Sequence, residues 1–131
     1  NGAMMADNFA LRGGTVVFPD RAALAVDLMV RDGRIAALLA PGERVNADIP
    51  EQSAHGLHVF PGLIDAHVHF GFAEKITEYA TETAYAAQGG FTTVLGHFLN
   101  NEGYADVFRR EQDYAQSRCH IDYGSHFSTA N

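Results

Sequence analysis

Residues 61–70, PGLIDAHVHF, constrain this chain more than any other stretch. A Pro-Gly turn leads into the apolar pair Leu63 and Ile64, and two histidines follow one residue apart. Successive side chains of a β-strand point to opposite faces. If 64–69 is a strand, Asp65, His67 and His69 line one side, with Ala66, Val68 and Phe70 on the other. Two imidazoles so placed stand about 6–7 Å apart along the strand, within reach of one metal ion, and neutral imidazole is a common ligand for zinc and related ions. A His-X-His pair alone describes ordinary packed or exposed histidines equally well. The apolar flank sharpens the reading, because an unpartnered polar ring is costly in a buried strand.

The rhythm of the chain changes at this stretch. Before it come short, partly alternating runs with turn residues between them, the pattern of a small all-β layer. Residues 9–18 read as a strand with a bulge or bend at Gly13-Gly14. Residues 25–31 and 34–39 read as a hairpin across Asp32-Gly33, which Pro41-Gly42 ends. A short strand and a loop near Pro50 are expected over 45–52, and one more strand over 56–60.

After it the order becomes strand, helix, strand, helix, strand, as β/α units require. The spacing predicts a helix over 77–88, with Thr77 as N-cap and Gly89-Gly90 as the stop, and a β-branched strand over 91–96. A second helix is expected over 105–117, with Val107, Phe108, Tyr114 and Ala115 on one face and Glu111 interrupting the stripe. A third strand is expected over 120–127. His67 and His69 end the first of these strands, His97 follows the second, and His126 lies near the end of the third. His55, His58 and His120 read as surface or strand-edge residues without a role.

Composition removes several classes. With 9 basic against 16 acidic residues the formal charge is −7, which argues against a nucleic-acid or anionic-membrane surface. No apolar run approaches the roughly 20 residues of a membrane span, and no stretch reads as a secretory signal. The single Cys119 excludes an internal disulfide and fits a reducing, cytoplasmic setting. Residues 1–5 read as three added residues, Asn1 to Ala3, and a start at Met4 or Met5.

The decamer resembles the signature of the amidohydrolase superfamily, metal-dependent hydrolases built on a TIM barrel. The resemblance covers about residues 8–131, strongest over 56–70 and weaker over 82–98 and 119–129. It implies an α/β chain: residues 6–60 as the N-terminal part of a β-sandwich, and 61–131 as the first β/α units of a TIM-type barrel. That barrel is incomplete here, because a whole one takes about 250 residues. A longer chain or another chain would complete it.

The resemblance makes His67 and His69 metal ligands, with Asp65, His97 and His126 around the pocket. Asp65 reads either as orienting a ligand or as a carboxylate satisfied by backbone amides. In the cyclic-amidase branch two metals share the site. There a carboxylated lysine bridges them, two further histidines come from later strands, and an aspartate acts as general acid and base. Lys75, the only lysine, does not match the bridging position, and no catalytic residue is expected within this chain.

The segment 119–129, CHIDYGSHFST, resembles the third-strand region of hydantoinases and dihydropyrimidinases. Dihydroorotases usually carry an arginine two residues after the second histidine, where this chain has Gly71. The implied enzyme therefore hydrolyses cyclic amides of the hydantoin, dihydropyrimidine or allantoin type. It would use divalent metal, zinc by preference, and act as a homo-oligomer when complete. The alternatives are a non-catalytic relative kept for assembly, which would tend to lose the paired histidines, a dihydroorotase, and an autonomous metal-binding β/α module.

Overall fold

A computed structural model describes residues 8–44, 49–69, 71, 74–98 and 103–128. The expectations for residues 1–5, 45–48, Phe70 and Thr129 fall outside these. The chain divides into two units, Asn1–Pro61 and Gly62–Asn131.

The first unit holds β1 (Phe9–Arg12), β2 (Thr15–Val16), β3 (Leu24–Ala25), β4 (Asp27–Arg31), β5 (Arg34–Leu39), β6 (Glu51–Ser53) and β7 (His58–Val59). They form two small sheets, in the orders β5-β4-β1-β6 and β3-β2-β7. The turn at Asp32-Gly33 has positive φ at both residues, 51° and 69°, the geometry of a tight hairpin between β4 and β5.

The strand expected over 9–18 is instead two strands in different sheets, parted at Gly13, whose φ is +74°. The run 25–31 divides in the same way at Val26. β1 pairs antiparallel with β4, and β2 pairs antiparallel with β3, so one two-stranded ribbon leaves one sheet and enters the other. A side chain at Gly13 would meet the ring of His55, and its left-handed backbone suits only glycine without strain.

Asp27 holds that corner. It is 2% exposed, and its carboxylate accepts the N–H groups of Gly13 at 2.8 Å and Gly42 at 2.9 Å. Arg12 adds an ion pair at 3.0 Å and reaches on to the Glu51 carboxylate and the carbonyl of Glu43. Burial pushes the Asp27 pKa up, but the two backbone bonds and Arg12 outweigh it and hold the carboxyl below its ordinary value. Ala10, Val16, Leu28, Leu39 and Ala54 are buried in this unit.

The second unit runs β8 (Leu63–Val68), α1 (Lys75–Gln88), β9 (Phe91–Phe98), α2 (Tyr104–Ala115) and β10 (Asp122–Phe127). The strands form one parallel sheet in the order β10-β9-β8, with a helix in each crossover. The sheet is open, and no barrel closes among the described residues. Thr77 is not the N-cap: α1 starts two residues earlier, and Glu74 occupies the cap without a side-chain bond. Glu78 serves instead, its carboxylate accepting the N–H groups of Glu74 and Gly71.

Glu111 does not interrupt the packed face of α2; it is the middle of that face. The buried residues are Val107, Glu111 and Ala115, four apart, while Phe108 is 45% exposed. The Tyr79 hydroxyl donates to Glu111 Oε2 at 2.5 Å, and Lys75 Nζ lies 2.5 Å from Oε1, which takes no hydrogen bond of regular geometry. The Tyr79 hydroxyl also meets that of Tyr123 on β10 at 3.2 Å. Burial, then the bonds to Glu111 and Tyr123, push the Tyr79 pKa well above its ordinary value, so it stays a donor. Thr83, one turn along α1, bonds the Tyr79 carbonyl and accepts the His120 N–H ahead of β10.

Two outcomes follow from these buried carboxylates. Asp27→Ala removes one partner of a buried pair and costs about 3 kcal/mol, measured by urea denaturation. Because the folded pKa of Asp27 lies below 3.8, its contribution is complete above that value and is lost as pH falls through the lower folded pKa. Glu111→Ala, which removes the buried acceptor of the Tyr79 hydroxyl and the carboxylate beside Lys75, also costs about 3 kcal/mol. Glu111→Gln keeps an acceptor for Tyr79 and loses clearly less; equal losses would show that the charge, not the hydrogen bond, matters.

Candidate metal centre

The paired histidines sit at the C-terminal end of β8, with His69 one residue beyond the strand, and both are exposed. The strand does not alternate cleanly there. Asp65 stands opposite Val94 and Val68 opposite Gly96, so three steps along β8 match two along β9. The extra residue forms a bulge, a feature that re-aims side chains next to sites. Asp65 supports it locally, its Oδ1 accepting the N–H of His67 at 3.1 Å, an Asx-type turn.

The result is convergence. His67 Nε2 and His69 Nε2 lie 3.0 Å apart. Two imidazole nitrogens bound at about 2.0–2.1 Å to one tetrahedral ion would stand about 3.3 Å apart. The pair therefore fits a divalent ion as two ligands of one site, and it equally suits one imidazole donating to the other.

His97 and His126 are in direct register on β9 and β10. The His97 ring stacks on His67, with centroids 4.4 Å apart and planes at 22°, and meets His69 edge-on at 5.5 Å. It presents a face to His67, and its Nε2 is 2.8 Å from Ser128 Oγ. Lost hydration, then the charges that His67, His69 and His126 would carry, push the His97 pKa down. His126 is more remote, 6.5 Å from His97 between centroids. Among the described residues no group of three or more His, Cys, Asp or Glu is arranged to hold a metal ion.

Asp65 and His69 also line a cavity of about 320 Å³ between β8, β9 and α1, with Glu82, Thr83 and Phe91 among its walls. Lys75 is engaged with Glu111 and lies 5.9 Å from the Tyr114 ring centroid. His55 packs near Gly13, His58 lies in β7, and His120 contributes its backbone N–H to Thr83. The sequence reading passed over Ser128, a hydroxyl one residue past a strand, for which the sequence carries no signal.

No protein-family model matches the chain. It is 31% identical to a D-hydantoinase of Streptomyces coelicolor, over 93% of this chain and 28% of the relative. It is 34% identical to a D-hydantoinase of Ralstonia pickettii, over 88% and 26%. A D-phenylhydantoinase of Escherichia coli matches at 33%, over 88% and 26%. The chain thus spans about a quarter of the length of the curated relatives it matches.

Among solved structures, an Xaa-Pro dipeptidase superposes with a TM-score of 0.64 at 18% identity, over 93% of this chain and 34% of the other. Molinate hydrolase superposes with a TM-score of 0.61 at 20% identity, over 93% and 30%. At such identities these two share the fold. The small sheets and the open β/α units that follow them share the fold of about a third of each of those two chains. The chain belongs to the amidohydrolase superfamily, and over about 90% of its length it is homologous to the D-hydantoinases.

Zinc added to the chain is expected to move the ring resonances of His67 and His69 together, ahead of His55, His58 and His120. A two-dimensional NMR titration reads this directly, and simultaneous movement of all of them would indicate scattered surface binding.

Proposed function

We propose that this chain supplies the N-terminal part of a metal-dependent hydrolase of cyclic amides, of the hydantoin, dihydropyrimidine or allantoin type. The observation that carries the reading is the 3.0 Å approach of His67 Nε2 and His69 Nε2 at the end of β8, in a chain homologous to D-hydantoinases. In this reading β8, β9 and β10 are the first strands of a TIM-type barrel, whose active sites gather at the C-terminal strand ends. The remaining strands and ligands come from further sequence or from another chain.

His67 and His69 would hold a divalent ion, zinc by preference and one of two in the complete site. Asp65 fixes the backbone that carries His67. When bound, such an ion polarises an amide carbonyl and lowers the pKa of a coordinated water to about 7. His97 beside the pair and His126 level with it would line the pocket and limit where a ring substrate can lie.

The 131-residue chain alone is expected to open no ring, because among the described residues no third His, Cys, Asp or Glu joins the pair around one ion. Within a completed protein, loaded with zinc, the expected result is ring opening of hydantoin, 5-phenylhydantoin or dihydrouracil, followed by chromatography of the N-carbamoyl product. His67→Ala or His69→Ala should lower that rate at least about 100-fold. A completed, zinc-loaded protein that opens none of these rings would sink the reading.

A further inference from the structure

We propose that His97, held by Ser128, is a positioning residue for the histidine pair: it fixes the plane of the His67 ring so that both Nε2 atoms face one divalent cation. The proposal rests on the reading that His67 and His69 bind that cation, and it adds the part of the chain that pre-forms the pair.

His67 needs such support. It is exposed, it sits on a bulge, and a ring at such a place turns freely about its side-chain bonds unless something packs against it. The structure puts another imidazole there. The His97 ring lies parallel to His67 within 22° at 4.4 Å, and edge-on to His69 at 5.5 Å, so one side chain braces both rings. Its own orientation is set on the far side, where Nε2 meets Ser128 Oγ at 2.8 Å. Ser128, just past the end of β10, is itself anchored, its N–H donating at 3.2 Å to the carbonyl of Phe98, the last residue of β9.

The geometry separates bracing from ligation. His97 offers a ring face to His67, and its Nε2 is engaged by Ser128. Groups that orient metal ligands typically change affinity about 10–100-fold when removed.

The test is a zinc titration of the 131-residue chain followed by NMR of the histidine ring protons, in the unsubstituted chain and four variants. His97→Ala is expected to weaken zinc binding about 10-fold and to remove the ring-current shift that stacking imposes on the His67 protons. His97→Phe restores a ring face but not the bond to Ser128, so it is expected to recover part of the affinity and part of the ring-current shift on the His67 protons. Ser128→Ala, which disturbs packing least, should fall between. Wild-type affinity in His97→Ala, or a His97→Phe variant as weak as His97→Ala, overturns the proposal. If His67→Ala binds zinc as tightly as the unsubstituted chain, the underlying assignment of the pair fails instead.

Discussion

A charge taken out of water must find a partner, and in the second unit that requirement falls on Glu111. Its side chain is fully buried, and the two groups that come within 2.5 Å of it, Lys75 and Tyr79, stand one turn apart on a different helix, α1, with Arg110 of α2 itself farther off at 3.9 Å. Through the Tyr79 hydroxyl the link extends to Tyr123 on β10. The two crossover helices and the last strand are therefore tied at one point, and the relative setting of the parallel strands depends on it. A wholly apolar seam would tolerate sliding by a turn. A carboxylate matched to one ammonium and one phenol does not.

The sheet so fixed presents its strand ends side by side. Parallel pairing puts His97 level with His126, and the bulge in β8 swings His67 over His97. The imidazole cluster is thus a product of strand register, with side chains from three strands meeting only because the crossovers bring the strands back in parallel. The homology to D-hydantoinases covers about a quarter of the length of those proteins.

Local chemistry made much of this legible beforehand. Asp32-Gly33 was readable as a hairpin because both residues accept positive φ, and strand 34–39 was readable from its flanking turns. The β/α order after residue 62 followed from periodicity, and the His-X-His pair followed from its resemblance to a family signature. The failures have a common cause. Gly13-Gly14 could be a bulge or a sheet change, and only the partner strands decide. Glu111 looked like a flaw in an apolar stripe because its partners lie about 32 residues or more away in sequence. Asp27 was unremarked for the same reason, and Thr77 lost its capping role to Glu78, which reaches back over the helix start.

The ribbon that passes from one small sheet to the other in the first unit has a consequence for how that unit comes apart. β1 and β2 are one continuous stretch of backbone, as are β3 and β4, and the bend in both is clasped by Asp27. Neither sheet can open while the other stays whole, since each would have to release strands the other still holds. Amide hydrogens in both sheets should therefore exchange with solvent through a single shared opening, making two sheets behave as one cooperative element.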